Sequence, residues 1–251
     1  MKKFILLGSF IAILFANTGF SQLRDTVINA DINPNRKVER IELTFPQEGA
    51  YSYILKIDNE EYKGVLNNNE YAYVELIDID KSDGYTEIAI IDVGPSDGHD
   101  SYLFRFDGEI IPLGTISGMS APEVVEDGIV QGYWWMGFWG FNKQYKLDND
   151  LNRILEITQE TYPVGDVEAE VTGSFSLLKD RVEGTDVVAA LKPGTKIKIV
   201  EADIKPVCVN SAGYMDDDEC DWFRIVADDG TTGWVQLKDF RDKVEGLIWA
   251  G

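Results

Sequence analysis

The sequence predicts an all-β protein made of two parts, and three observations support this fold class. Short runs rich in Val, Ile, Tyr and Phe recur along the chain, separated by Asn, Asp and Gly. No stretch keeps its apolar residues at the 3.6-residue period of a helix for three turns. An acidic motif occurs twice, at Asp31 and at Asp78, which are 47 residues apart. The strands that we predict are 40–45, 52–57, 72–79, 86–93, 102–106, 144–147, 195–201, 222–227 and 232–236.

The charge of the chain restricts its partners. Its 251 residues include 23 Lys and Arg but 44 Asp and Glu, which gives a formal net charge of −21. Such a surface repels the phosphates of nucleic acids and of anionic lipids, and it favours basic partners and divalent cations. One His and two Cys are too few for a multi-histidine zinc site, a zinc ribbon or a thiolate-bound iron–sulfur cluster.

The first 21 residues are organised like a signal peptide. Two lysines precede an apolar run at residues 4–16, which is too short to span a bilayer. Small residues, Gly19 and Ser21, fit cleavage after residue 21. We therefore expect an exported protein, periplasmic or extracellular, that does not insert into a membrane after cleavage. The alternative is a retained N-terminal anchor.

The boundary between the two parts is expected near Pro163 and Gly165, because these residues interrupt the strand pattern. We therefore predict a first β-rich domain at residues 22–163 and a second domain at residues 164–251. Both parts are acidic, so neither is a basic segment that recruits nucleic acid.

The repeated acidic motif predicts the architecture of the first domain. Repeats of about 40–50 residues, each with several strands, are typical of propeller blades. The first domain has room for about three such units, although a third copy of the motif is not evident. We predict a propeller-like or partial-propeller β-meander domain.

The two acidic loops resemble the calcium loops of FG-GAP/VCBS-type repeats of secreted bacterial proteins. That resemblance implies Ca²⁺ held by alternating oxygen ligands of a tight turn. The first loop departs from the family in having Arg36 where a glycine is usual, and the second loop has one extra residue. The alternative is a turn whose Asp and Asn side chains bond their own backbone. The candidate ligands are Asp31, Asn33, Asn35 and Glu39 in the first loop, and Asp78, Asp80, Asp83 and Glu87 in the second.

Residues 133–141, here called the aromatic stretch, form the most aromatic segment of the chain. As a single strand, the stretch would carry large apolar side chains on both faces, which predicts a strand buried on both sides. The alternative is a platform of exposed rings that stacks on a sugar or a peptide.

The second domain resembles a bacterial SH3 (SH3b-like) domain. Residues 191–200 (LKPGTKIKIV), 221–225 (DWFRI) and 229–235 (DGTTGWV) match three of the strands of that family, in the right order. The usual opening strand is absent. The resemblance implies a small β-barrel that binds ligands in a shallow aromatic groove.

Candidate groove residues are Tyr214, Trp222 and Trp234. Of these, Trp234 follows Gly233 in a hairpin and is expected to belong to the core. Tyr214 lies beside an acidic run, 216–219, so together they suit a ligand with an apolar body and a positive end.

The two cysteines, Cys208 and Cys220, are expected to form a disulfide because the chain is predicted to be exported. Neither cysteine has a base close to it in sequence, and the single histidine, His99, lies among loop neighbours that cannot form a triad. We therefore predict a non-enzymatic binding protein of the bacterial cell envelope, which recognises peptidoglycan, a peptide or a protein partner. The alternative is a secreted hydrolase with an unrecognised carboxylate pair.

Overall fold

The computed structural model describes residues 24–46, 51–68, 71–95, 98–205, 208–209, 215–216 and 219–249. The predicted signal peptide lies outside these residues. Within them the chain forms antiparallel sheets, and the one α-helix, α1, has only four residues, Leu237–Phe240. The predicted all-β class is therefore confirmed, and each predicted strand coincides with or overlaps an observed one.

Three four-stranded sheets follow one another along the first domain, and in each of them consecutive strands pair as antiparallel neighbours. The first sheet comprises β1 (Thr26–Ala30), β2 (Glu39–Thr44), β3 (Ser52–Ile57) and β4 (Glu60–Val65). The second comprises β5 (Tyr71–Ile77), β6 (Glu87–Val93), β7 (His99–Phe106) and β8 (Ile110–Gly118). The third comprises β9 (Glu123–Glu126), β10 (Ile129–Trp135), β11 (Gly140–Asp148) and β12 (Arg153–Glu156).

The second sheet lies between the other two, because its central strand is apolar on both faces. Leu43 and Leu55 of the first sheet share a core with Ile90 of β6. The neighbouring residue, Ile91, faces the opposite side and shares a core with Val130 of the third sheet. All seven residues of β6 are buried, as expected for a strand between two layers. The first three sheets thus form a stack of three meanders.

A fourth sheet follows along the chain, with the strand order β15-β14-β20-β19-β16-β13-β21. Its members are β13 (Tyr162–Val171), β14 (Phe175–Leu178), β15 (Val187–Leu191), β16 (Lys196–Asp203), β19 (Trp222–Ala227), β20 (Thr232–Gln236) and β21 (Val244–Glu245). A short hairpin, β17 (Cys208–Val209) and β18 (Met215–Asp216), is inserted between β16 and β19. Strands β15 and β21 are the two edges and do not pair in the described structure. The sheet is therefore open, and closure into an SH3-like barrel stays a prediction.

The aromatic stretch is a hairpin rather than one strand buried on both sides, so that prediction was wrong. Met136 N–H donates to the carbonyl of Trp139 (2.8 Å), which closes a turn between β10 and β11. Gly137 makes the reversal possible, because its φ of 85° lies in the left-handed region that glycine tolerates. Phe138 and Trp139 at the tip both pack on Phe223 of the fourth sheet. The hairpin therefore joins the third sheet to the fourth.

Candidate functional site

The two acidic loops occupy equivalent places, because each joins the first and second strands of its sheet. Each is followed by a buried glutamate, Glu39 at the start of β2 and Glu87 at the start of β6. Glu39 Oε2 accepts a hydrogen bond from the backbone N–H of Ile32 (3.3 Å), and Glu87 Oε2 accepts one from that of Ile79 (3.1 Å). The sequence repeat therefore builds the same contact in both sheets.

In the first loop, side-chain amides surround the glutamate. Asn33 Nδ2 and Asn35 Nδ2 both donate to Glu39 Oε1, at 3.3 and 3.2 Å. Their oxygens accept backbone hydrogen bonds, Asn33 Oδ1 from Asn35 N (3.0 Å) and Asn35 Oδ1 from Lys37 N (2.7 Å). Asp31, the remaining candidate ligand, is exposed. This geometry favours the alternative interpretation, a turn that bonds its own backbone.

In the second loop, a guanidinium takes the place we predicted for a metal. Arg105 of β7 donates to Glu87 Oε1 through Nε (3.1 Å) and Nη2 (2.6 Å), and to Asp83 Oδ2 through Nη2 (2.8 Å). Its Cζ lies 4.5 Å from the ring centroid of Tyr85. Its side chain is 5% exposed and that of Glu87 is 0% exposed. Asn149 of the third sheet accepts the remaining bond, from Nη1 (2.9 Å).

The other candidate ligands of the second loop do not converge on Arg105. Asp80 Oδ1 accepts hydrogen bonds from the backbone and the hydroxyl of Ser82, which lower the pKa of Asp80. Asp78 is exposed. In the described part of the chain, no three His, Cys, Asp or Glu residues are grouped so that they could hold a metal. A calcium ion does not fit between Asp83 and Glu87 while Arg105 lies there, so calcium binding stays a prediction that requires this arginine to move.

A second acidic cluster lies at the opposite end of the second sheet. Asp92 of β6 and Asp100 of β7 are directly opposed in the antiparallel register. Asp92 is fully buried, and its Oδ2 accepts a hydrogen bond from the backbone N–H of Asn68 (2.8 Å). Its Oδ1 has no hydrogen-bond partner among the described residues. Burial, and to a smaller extent the charge of Asp100, raises the pKa of Asp92 to about 6.

Asp100 has a more polar environment than Asp92. It accepts hydrogen bonds from Asn67 Nδ2 (2.8 Å) and from the hydroxyl of Ser117. We did not single out this pair from the sequence. The sequence feature that could have indicated the pair is Asp92 itself, a charged residue within the apolar strand Glu87–Val93. A buried carboxylate without a partner is costly, so such a residue often has a function.

The two described tryptophans of the predicted groove differ from expectation. Trp222 at the start of β19 is buried, with 4% of its surface exposed. Trp234 on β20, which we expected in the core, is only half-buried. Strand alternation explains the difference, because Gly233 and Val235 on either side of Trp234 face the core. Tyr214 lies outside the described residues.

The predicted disulfide also stays a prediction. Cys220 is buried, whereas the side chain of Cys208 lies outside the described part of the molecule. The backbones of β17 and β18 pair Cys208 with Asp216, so the insert begins as a narrow hairpin.

Trp234 lies beneath an arginine that also contacts two carboxylates. The Cζ of Arg181, in the turn between β14 and β15, is 5.1 Å from the Trp234 ring centroid. Arg181 Nη1 donates to Asp203 Oδ2 (2.9 Å), and Nη2 pairs with Glu160. The side chain of Arg181 is 25% exposed and that of Glu160 is 78% exposed. Sequence reasoning missed this group, because its members come from four separate segments.

Comparison with protein-family models, curated proteins and solved structures found no match. The described residues contain no helix long and apolar enough to cross a membrane.

Proposed function

We propose that this chain is an exported, non-enzymatic binding protein of the bacterial envelope. Its ligand is a cationic peptide, cell-wall fragment or protein segment, and its binding surface is the face of the fourth sheet around Trp234. The SH3-like motifs of residues 191–235 and the net charge of −21 both support a binding module for basic ligands.

The main support for the proposal is the set of contacts that Arg181 makes. A half-buried ring, Trp234, and two carboxylates, Glu160 and Asp203, together surround one positive group. An aromatic face with adjacent carboxylates is the chemistry that recognises a Lys or Arg side chain or an amine. Arg181 therefore marks the position that a basic side chain of the ligand would take.

Exchange of Arg181 for a ligand is feasible because Glu160, one of its two carboxylates, is 78% exposed. Asp203 is only 13% exposed, so the positive group of the ligand must replace Arg181 there as the counter-charge. A surface ion pair contributes only about 0–1 kcal/mol, since both groups remain hydrated when they separate. Glu160, at 78% exposed, already lies largely in water. A ligand with several positive charges can replace one arginine and add contacts of its own.

The test is binding of a fluorescently labelled tetralysine peptide to the full mature chain, measured by anisotropy. We expect Trp234→Ala to weaken binding by about tenfold or more, the loss typical of a central aromatic contact. Arg181→Ala removes the internal competitor and should strengthen binding several-fold. Arg40→Ala is the matched control, because Arg40 pairs with Glu42 on the first sheet, outside the Trp234 surface, and the substitution changes the net charge equally.

Non-specific attraction to an acidic chain would give a different result. It would leave the affinity unchanged in Trp234→Ala, and it would make Arg181→Ala and Arg40→Ala equally effective. Either outcome would reject the Trp234 surface. An acetylated tetralysine of the same length should not bind, and purified cell wall should retain the mature chain but not the Trp234 variant.

A secreted hydrolase is the second candidate, and the pair Asp92 and Asp100 is the observation that favours it. One carboxyl with a raised pKa beside a second carboxylate is the arrangement of a general acid and its partner. The complete burial of Asp92 weighs against this candidate, because a substrate must reach the acid. Release of reducing sugar from purified cell wall by the wild type, and its loss in Asp92→Asn, would establish the hydrolase.

A further inference from the structure

The outer face of the third sheet carries an aromatic and amide surface. On β10, Val130 faces the second sheet, so Tyr133 and Trp135 lie on the opposite face. On β11, Tyr145 faces the second sheet, so Gly140, Asn142 and Gln144 lie on the outer face together with Tyr133 and Trp135. The surface, here called the amide face, consists of Gln131, Tyr133 and Trp135 on β10 and of Gly140, Asn142 and Gln144 on β11.

The register places these six residues as three cross-strand pairs. Gln131 is opposite Gln144, Tyr133 is opposite Asn142, and Trp135 is opposite Gly140. Cross-strand neighbours are about 5 Å apart, and residues two apart along a strand are about 7 Å apart. The amides and the rings therefore form one continuous strip along the hairpin.

The side chain of Tyr133 extends across this strip towards Gly140. A side chain on Gly140 would collide with the Tyr133 ring, so the glycine leaves the space into which the ring leans. The Tyr133 side chain is nevertheless 38% exposed, which is high for a large aromatic residue. Gly140 thus leaves room for the outer end of an aromatic side chain that remains partly exposed to solvent.

Charged residues lie beside one end of the amide face, where Glu123 of β9 is opposite Gln131 and Lys146 of β11 is two residues beyond Gln144. The other end, with Tyr133, Trp135 and Asn142, carries no charged side chain. The outer face of the first sheet is different, since Arg40 pairs there with Glu42 and Lys63 with Glu61. That charged face suits contact with water, whereas the amide face combines apolar rings with groups that both donate and accept hydrogen bonds. Gln131 already uses one donor on Glu123 (3.1 Å), and Asn142 is exposed.

We propose that the amide face binds an uncharged glycan chain. A sugar ring offers a flat apolar C–H surface, which packs on an aromatic face, and hydroxyls at its edge, which pair with amides. The uncharged end of the face around Tyr133 and Asn142 favours an uncharged ligand, which separates this site from the cationic ligand proposed for Trp234. The two sites are independent, because they lie on different sheets.

The test is affinity electrophoresis of the full mature chain in native gels that contain glycol chitin or hydroxyethyl cellulose, two uncharged polysaccharides. We expect the wild type to be retarded by at least one polymer, and both Tyr133→Ala and Asn142→Asp to lose that retardation. Asn142→Asp changes an exposed residue and leaves the ring on Gly140, so it tests the face even if Tyr133→Ala misfolds.

Tyr71→Ala is the matched control. Tyr71 is an exposed tyrosine that stacks on Tyr73, two residues further along a strand of the second sheet, with ring centroids 6.0 Å apart. It should keep the retardation. Migration of the wild type unaffected by both polymers, or equal retardation of wild type and Asn142→Asp, overturns the proposal. A wild-type dimer that Tyr133→Ala converts to a monomer would also overturn it, because a second copy would then cover the face.

Discussion

Two arginines of this chain have the same kinds of partners in opposite environments. Arg105 contacts Asp83, Glu87 and the ring of Tyr85, and its side chain is 5% exposed. Arg181 also contacts two carboxylates and an aromatic ring, but its side chain is 25% exposed. Of its carboxylates, Glu160 is 78% exposed and Asp203 is 13% exposed, whereas Glu87 beside Arg105 is 0% exposed. The same set of groups therefore occurs once inside the stacked sheets and once at the surface.

Burial decides what each arginine can do. Removing a buried arginine leaves carboxylates without water and without a counter-charge, which is costly. Removing a surface arginine exposes its carboxylate partners to water, and their hydration replaces most of the lost ion-pair energy. We infer that Arg105 holds the second and third sheets together, whereas Arg181 occupies a position that a ligand can take. Each of the following predictions tests this difference, and they run from the largest expected effect to the smallest.

Arg105→Ala should have the largest effect on stability. We expect a loss of about 3–5 kcal/mol in the free energy of unfolding, because Glu87 would remain buried without its counter-charge. Urea unfolding of the mature chain measures this loss. Arg105→Lys should be less harmful, since it keeps the charge but loses the paired bonds to Glu87. A loss below about 1 kcal/mol in Arg105→Ala would place Arg105 in the same class as a surface arginine.

Asp92 shows what burial does to a carboxylate that has no arginine beside it. Its pKa of about 6 exceeds the ordinary value of 3.8, so the folded state binds the proton more tightly than the unfolded state. The stabilisation from protonation is therefore fully present below about pH 4 and is lost as the pH rises through 6. At pH 7 the ionised group should cost about 2–3 kcal/mol.

Asp92→Asn should remove this pH dependence. The variant should be more stable than the wild type at pH 7, and the two should converge near pH 4. Chemical unfolding of both proteins at several pH values gives the difference between their free energies of unfolding. Titratable groups that both proteins share cancel in this difference. Parallel stability curves between pH 4 and 7 would show that Asp92 is not the titrating group.

Calcium tests whether Arg105 excludes a metal from the second loop. The wild type should show no specific rise of the thermal midpoint in millimolar calcium, because the guanidinium occupies the space between Asp83 and Glu87. In Arg105→Ala, calcium at several times its dissociation constant should raise the thermal midpoint. The corresponding gain in the free energy of unfolding is about 1 kcal/mol. Asp80→Asn controls for charge screening, and an equal rise in wild type and Asp80→Asn indicates screening alone. A rise in the wild type that Asp80→Asn removes would restore the original calcium prediction.

Arg181→Ala should have the smallest effect on stability. We expect a loss of less than about 1 kcal/mol, because Glu160 is 78% exposed and becomes hydrated, while Asp203 keeps the hydrogen bond from the backbone N–H of Lys205. The same urea unfolding measurement applies. A loss as large as that of Arg105→Ala would show that Arg181 is structural, and it would weaken the proposal that a ligand replaces it.

The sequence by itself determined the fold class and the local repeat. Short β-branched and aromatic runs with turn residues between them specify strands and hairpins, because these depend on neighbours close in the chain. The interval between Asp31 and Asp78 identified equivalent loops, and Glu39 and Glu87 make the same backbone contact in both. In the first three sheets, strands that follow one another in the chain pair with one another, which produces the observed meanders. Contacts between residues far apart in the chain were therefore not needed to predict these hairpins.

Only the tertiary structure decided which groups meet. Arg105 is 22 residues from Asp83 and 44 from Asn149, yet it bonds to both. Sequence spacing showed a row of carboxylates and suggested a metal, because the arginine that neutralises them comes from another strand. The amide face likewise depended on the turn at Gly137, which places β10 and β11 side by side instead of end to end. Charges and rings act across space, so their partners are set by packing between sheets and not by neighbours along the chain.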